Sequence, residues 1–101
     1  MIVLYVLRNC PYCNSALQLL KENKIKHNAI YVENEQEKEL YKKQNAMNTF
    51  PQIFMQVSKD NYMKVGGCDD LIELLNVCKS IRGTNVSLDA IYYMYQNLYS
   101  K

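Results

Sequence analysis

The chain alternates short apolar runs with longer stretches of helical periodicity. Ile2-Val3-Leu4-Tyr5-Val6-Leu7 has no polar interruption and is rich in β-branched and aromatic residues. That pattern predicts a strand buried on both faces. A helix is predicted from Pro11 to about Asn23, with Ala16, Leu17, Leu19 and Leu20 on its inner side. Pro11 suits the first helical turn, where no N–H is required. A short strand follows over His27 to Val32. Asn34 to Met47 reads as a second helix, acidic at its start (Glu35, Glu37) and basic later (Lys42, Lys43), as the helix dipole prefers. Pro51–Val57 and Tyr62–Val65 read as a hairpin turned by Ser58-Lys59-Asp60-Asn61 and ended by Gly66-Gly67. A third helix runs from Cys68 or Asp69 to Ile81, with Leu71, Leu74, Leu75 and Cys78 at helical spacing. Arg82-Gly83-Thr84-Asn85 breaks it, and Ser87 can cap a last helix over Leu88 to Tyr99.

The order β-α-β-α-β-β-α-α predicts an α/β fold: a mixed four-stranded sheet flanked by helices, with an extra C-terminal helix. At 101 residues this is one domain, with a core over about 1–81 and an extension over about 82–101. The 49% of hydrophobic residues suffices for a packed core, so disulfides are not needed to hold it together. The net charge of +2 is too small to argue for nucleic acid. The longest apolar run is too short to cross a bilayer. Met1 leads straight into the first strand with no basic region or cleavage site. The expected location is therefore the reducing cytoplasm, where free thiols persist.

In that compartment Cys10-Pro11-Tyr12-Cys13 carries the chemistry. Two thiols one helical turn apart can close into a disulfide and reopen. Cys10 should sit just before the helix, where free N–H groups and the positive end of the dipole favour a thiolate. Arg8 adds a positive charge within reach. Cys13, further into the helix, should be less exposed. The expected pair is thus an attacking Cys10 and a resolving Cys13. Lowering a thiol pKa from about 8.5 to about 5 raises the thiolate fraction at pH 7 roughly 30-fold. With a Brønsted slope near 0.45, intrinsic nucleophilicity falls by about the same factor. The gain lies in making Cys10 a good leaving group. A zinc ribbon would need a second close pair, which Cys68 and Cys78 do not form.

Two further segments stand out. In Thr49-Phe50-Pro51-Gln52-Ile53-Phe54 a proline opens a strand. A cis bond there would fix a tight turn and free the Phe50 backbone to pair with an extended peptide; a strand-edge proline without a ligand explains the segment equally well. In Gly66-Gly67-Cys68-Asp69-Asp70-Leu71 a glycine pair precedes a helix. Its N–H groups suit a carboxylate, and Asp69 or Asp70 an ammonium group. Taken alone, the two aspartates read first as helix-capping residues. Cys78 reads as a small buried hydrophobe and His27 as a surface residue.

Together, C-P-Y-C, T-F-P-Q-I-F and G-G-C-D-D-L, in this order and spacing, resemble the glutaredoxin family over about residues 1–81. Thioredoxins are similar only in outline, since they usually carry W-C-G-P-C and this chain has no Trp. The resemblance implies a thioredoxin-like fold and glutathione-dependent thiol–disulfide exchange. It makes Cys10 the nucleophile that accepts glutathione and Cys13 the resolving thiol. Arg8 and Tyr12 would line the glutathione site. Thr49, Phe50 and Pro51 would hold the cysteinyl backbone of glutathione, and Cys68, Asp69 and Asp70 its γ-glutamyl end. Lys38 and Lys42 are candidates for its glycine carboxylate. Leu7 stands where the family often has Lys, Phe50 replaces the usual Val, and the hairpin and C-terminal part are longer than usual.

Implied partners are glutathione as co-substrate and disulfide-bonded or glutathionylated proteins, ribonucleotide reductase among them, with no metal, nucleic acid or membrane. Alternatives are a thioredoxin-like reductant served by its own reductase, a disulfide relay or assembly factor, and a non-enzymatic iron–sulfur carrier. The Tyr-rich tail, with Tyr92, Tyr93, Tyr95 and Tyr99, reads as a stripe packed on the domain. Its apolar outer face adds a surface for self-association.

Overall fold

The computed structural model describes residues 1–82. It contains β1 (Ile2–Val6), α1 (Pro11–Glu22), β2 (His27–Tyr31), α2 (Glu35–Asn45), β3 (Gln52–Ser58), β4 (Asn61–Gly66) and α3 (Cys68–Arg82). The strands form one sheet in the order β2-β1-β3-β4. β1 runs parallel to β2, and the β1–β3 and β3–β4 pairs are antiparallel. The first seven elements of the expected order and the mixed sheet are present. The predicted last helix, its tyrosines and the self-association surface lie outside the described residues.

The two faces of β1 differ. Ile2, Leu4 and Val6 are fully buried, together with Ala16 and Leu20 of α1, Ile53 and Met55 of β3, and Leu71 and Cys78 of α3. This is the core, with α1 and α3 on one face of the sheet. Val3 and Tyr5, which alternate to the other face, are only half-buried. The strand is therefore not buried equally on both sides, as its composition suggested. The reason is the cover: α2 is strongly polar and contributes no fully buried residue. It meets the sheet mainly through Tyr41, whose ring lies 4.6 Å from that of Tyr5, while Phe54 meets Tyr5 edge-on at 6.1 Å.

Local chemistry sets the helix ends. Asn34 caps α2 by accepting the Glu37 N–H at 2.9 Å. At the other end Ala46 adopts φ 53°, so the helix stops at Asn45, short of Met47. Lys64 of β4 donates to the carbonyls of both Asn45 and Ala46 at 3.1 Å, matching a cation to the negative end of the dipole. The hairpin turns on Lys59-Asp60, with Asn61 donating to the Ser58 hydroxyl at 2.8 Å. The hairpin returns the chain to the same end of the sheet as Cys10, and there α3 begins.

Candidate active site

Cys10 is the N-cap of α1. Its backbone is extended (φ −107°, ψ 113°), and its sulfur accepts the Cys13 N–H at 3.3 Å. That N–H has no partner within the helix. Pro11 at the first helical position leaves no competing donor there. The Cys10 sulfur is half-buried and lies 4.0 Å from the Phe50 carbonyl oxygen, across from the Phe50-Pro51 peptide, which is cis. The two segments singled out in the sequence thus face each other at the sulfur, although 40 residues separate them in the chain.

Cys13 is fully buried. Its sulfur accepts the Leu7 N–H at 3.5 Å. Burial is the main reason its thiol pKa is pushed up to about 12. A hydrogen bond with Cys10 and the nearby charges of Cys10 and Cys68 act in the same direction, while the Leu7 N–H opposes them. Cys13 is therefore held as a neutral thiol across the physiological range. The Cys68 thiol is also raised, by burial first and then by the charges of Asp69 and Cys10. A measurable consequence is selective alkylation. At pH 7–9 iodoacetamide should modify Cys10 while leaving Cys13 untouched in the native protein. Cys13 should begin to react only as the pH climbs towards about 12. Mass spectrometry of the labelled peptides reads this directly, and equal labelling of Cys13 at pH 8 would contradict the buried placement.

Beside the sulfur lies an open groove of about 310 Å³, lined by Tyr12, Met47, Thr49, Phe50, Pro51, Gly67, Cys68, Asp69 and Asp70. Seven residues expected at the ligand site are therefore brought together from α1, the 46–51 loop and the start of α3. Tyr12 is 66% exposed and forms an outer wall. Phe50, by contrast, is buried with the core cluster. Among the described residues no acceptor meets the Phe50 N–H. The carboxylate of Asp70 is already engaged within the protein. It accepts the Gly67 N–H at 2.8 Å and closes the first turn of α3, one half of a capping box. Asp69, one position earlier, is exposed on the same helix terminus.

The structure places Arg8 and the two candidate lysines away from the groove. Arg8 is engaged elsewhere. Its guanidinium instead pairs with Glu33 at 3.1 Å and lies 4.6 Å above the Tyr31 ring, and it does not line the groove. The competitor is a carboxylate 25 residues away in sequence, which raises the Arg8 pKa further. Lys38 and Lys42 pair with Glu35 and Glu39 within their own helix, at 3.0 and 3.6 Å, and neither lines the groove. Met47 and Gly67 do line it, although neither is among the ligand-site residues expected from the sequence. Gly67 adjoins a motif that pointed there, whereas Met47 carries no chemical signal in the sequence.

A cysteine pair at a helix N-terminus, facing a cis-proline loop on a β2-β1-β3-β4 sheet, defines a thiol–disulfide oxidoreductase of the thioredoxin-like fold. Comparison with known proteins narrows the class. The family model described as Glutaredoxin matches residues 2–57. Glutaredoxin 1 of Rickettsia typhi is 46% identical over 76 residues, covering 72% of this chain and 68% of that protein. The chain belongs to the glutaredoxin family. Among solved structures, the glutaredoxin of Brucella melitensis superposes with a TM-score of 0.59 at 30% identity, over 83% of this chain and 87% of the other. A buckwheat glutaredoxin–glutathione complex shares the fold, with a TM-score of 0.62 at 18% identity, over 91% of this chain and 76% of the other.

Proposed function

We propose that this glutaredoxin uses glutathione to reduce glutathionylated and disulfide-bonded proteins in a reducing cytoplasm, through Cys10 as nucleophile and Cys13 as resolving thiol. The observation that carries the reading is the groove, which runs from the Cys10 side of the cis-Pro51 loop to the N-terminus of α3. Glutathione is an extended tripeptide with a central thiol, a peptide backbone and an α-amino acid at one end. The free Phe50 N–H suits its cysteinyl carbonyl, as in strand addition. The first turn of α3 offers N–H groups to its γ-glutamyl carboxylate, and Asp69 offers a carboxylate to its ammonium group. A solved relative, from buckwheat, is described as a glutathione complex, which agrees with this assignment.

The exchange then proceeds in two balanced steps. The Cys10 thiolate attacks the glutathione sulfur of a glutathionylated client. A Cys10–glutathione disulfide forms, and the client thiolate leaves and takes a proton from water. A second glutathione, as thiolate, attacks the bound glutathione sulfur. This releases oxidised glutathione and returns Cys10 as thiolate. With a protein disulfide, Cys10 forms a mixed disulfide with one client sulfur and frees the other. Cys13 then loses its proton and attacks the Cys10 sulfur. The second client thiol is released, a Cys10–Cys13 disulfide remains, and two glutathiones reduce it. A high Cys13 pKa suits this order, because the resolving thiol stays neutral until its target disulfide exists.

The direct test is turnover of a glutathionylated peptide by the full chain, with glutathione as the sole reductant and oxidised glutathione measured as product. We expect saturable turnover that depends on glutathione concentration. Turnover only with a dithiol reductant, and none with glutathione, would overturn the reading in favour of a thioredoxin-like reductant. Clients such as ribonucleotide reductase would be assayed in the same way.

A further inference from the structure

The 46–51 loop carries the groove's Met47, Thr49, Phe50 and Pro51, yet it is neither helix nor strand, and something must hold it. Among the described residues, three side chains reach the backbone of residues 46–50. Lys64 donates to the Ala46 carbonyl at 3.1 Å, Gln52 to the Met47 carbonyl at 3.4 Å, and Cys10 lies 4.0 Å from the Phe50 carbonyl. Gln52 differs from the others in being completely buried. It is the one buried polar residue among the described residues. It pairs with Tyr5 in the sheet, on the face that α2 covers. Its amide is used at both ends: the oxygen accepts the Asn45 side-chain N–H at 2.7 Å while the nitrogen donates to Met47.

We propose that Gln52 is a positioning residue for the ligand groove. Its amide ties the last residue of α2 to the loop and sets where Thr49 and Phe50 meet the ligand. A buried amide is costly unless both its ends are bonded. An apolar residue of similar length at this first position of β3 would fill the same space without that cost. The polar side chain is explained by its two partners, one side-chain and one backbone, the first of them seven positions away in sequence at Asn45. Gln52 touches no ligand and does not line the groove, so it acts through the loop.

In kinetic terms this inference rests on the glutathione reading above, and its test separates the two. In the full chain, Gln52→Met keeps volume and removes both hydrogen bonds. The KM for the glutathionylated peptide should rise about fivefold, the size of one hydrogen bond's worth of positioning. The kcat and the rate of Cys10 alkylation should stay within about twofold, since the thiol site on α1 is unaltered. Backbone order parameters of Asn48–Phe50 should fall from about 0.85 towards 0.6, while those of α1 stay at the rigid level. Asn45→Ala removes the 2.7 Å bond from its less buried end. It should move the same quantities in the same direction, so it serves where Gln52→Met does not fold. In the double variant the KM effects should be less than additive. Unchanged loop order parameters, or an unchanged KM in a variant that folds, would overturn the proposal. If the unaltered chain shows no turnover with glutathione, the functional reading fails. The order parameters then still decide whether Gln52 holds the loop.

Discussion

Replacing Cys10 with Ser should abolish turnover of both kinds of substrate, by at least about a thousandfold, because a serine hydroxyl has no base beside it to activate it. Of the two thiols in C-P-Y-C, Cys10 is the half-buried one, and Cys13 is fully buried and held neutral. Cys13→Ser should separate the two reactions. Reduction of a glutathionylated peptide should stay within about threefold of the unaltered chain, because the second glutathione does the resolving. Reduction of a protein disulfide at low glutathione should fall by at least about tenfold, since nothing inside the protein attacks the mixed disulfide. Both variants are read in one assay that measures oxidised glutathione and free client thiol. Activity in Cys10→Ser with none in Cys13→Ser would reverse the assignment of nucleophile and resolving thiol.

Gly66→Ala is the second change expected to have a large effect. Gly66 has φ +125°, a backbone conformation that a side chain disfavours. A Cβ added there would also run into the Asp70 carboxylate. That carboxylate holds the Gly67 N–H and starts α3. Backbone strain of about 1–3 kcal/mol and a lost cap of about 1 kcal/mol together give a destabilisation of about 2–4 kcal/mol. For a domain of this size the thermal midpoint should drop by about 10–25 °C. Gly67→Ala is the internal control. Its Cβ would meet Asp70 and the Pro51 carbonyl at 3.9 Å, which is ordinary contact. Its stability should therefore stay within about 1 kcal/mol of the unaltered chain. Calorimetry of the two proteins distinguishes these outcomes. Equal midpoints would show that the 66–70 turn tolerates a side chain at either glycine.

These two sites also mark how far a linear reading reaches. C-P-Y-C is legible because its geometry is local. A Cys at the N-cap, a Pro at the first helical position and a second Cys one turn later are all within one hydrogen-bonded loop. Gly66-Gly67 and Asp70 are legible for the same reason, since the capping contact spans three residues. Arg8 shows the limit. Two residues from Cys10 in sequence, it pairs with Glu33 and Tyr31, which only the folded chain brings beside it. Met47 and Gln52 mark the same limit from the other side. One lines the groove and the other supports it, and both owe their place to where α2 ends, at a residue in the left-handed region.

By itself, the sequence determined the order of strands and helices over the described residues, the position of the Cys10 and Cys13 pair at a helix start, and the family resemblance. Each depends on contacts within a turn or on apolar periodicity, and both are written in neighbouring residues. Tertiary structure alone decided what surrounds the sulfur. It brought the Phe50 carbonyl to Cys10, buried Cys13 until its thiol stays protonated, drew Arg8 away, and joined three separate segments into one groove. These are matters of burial and of distance between residues far apart in the chain. They exist only once the hydrophobic core has packed the sheet between its helices.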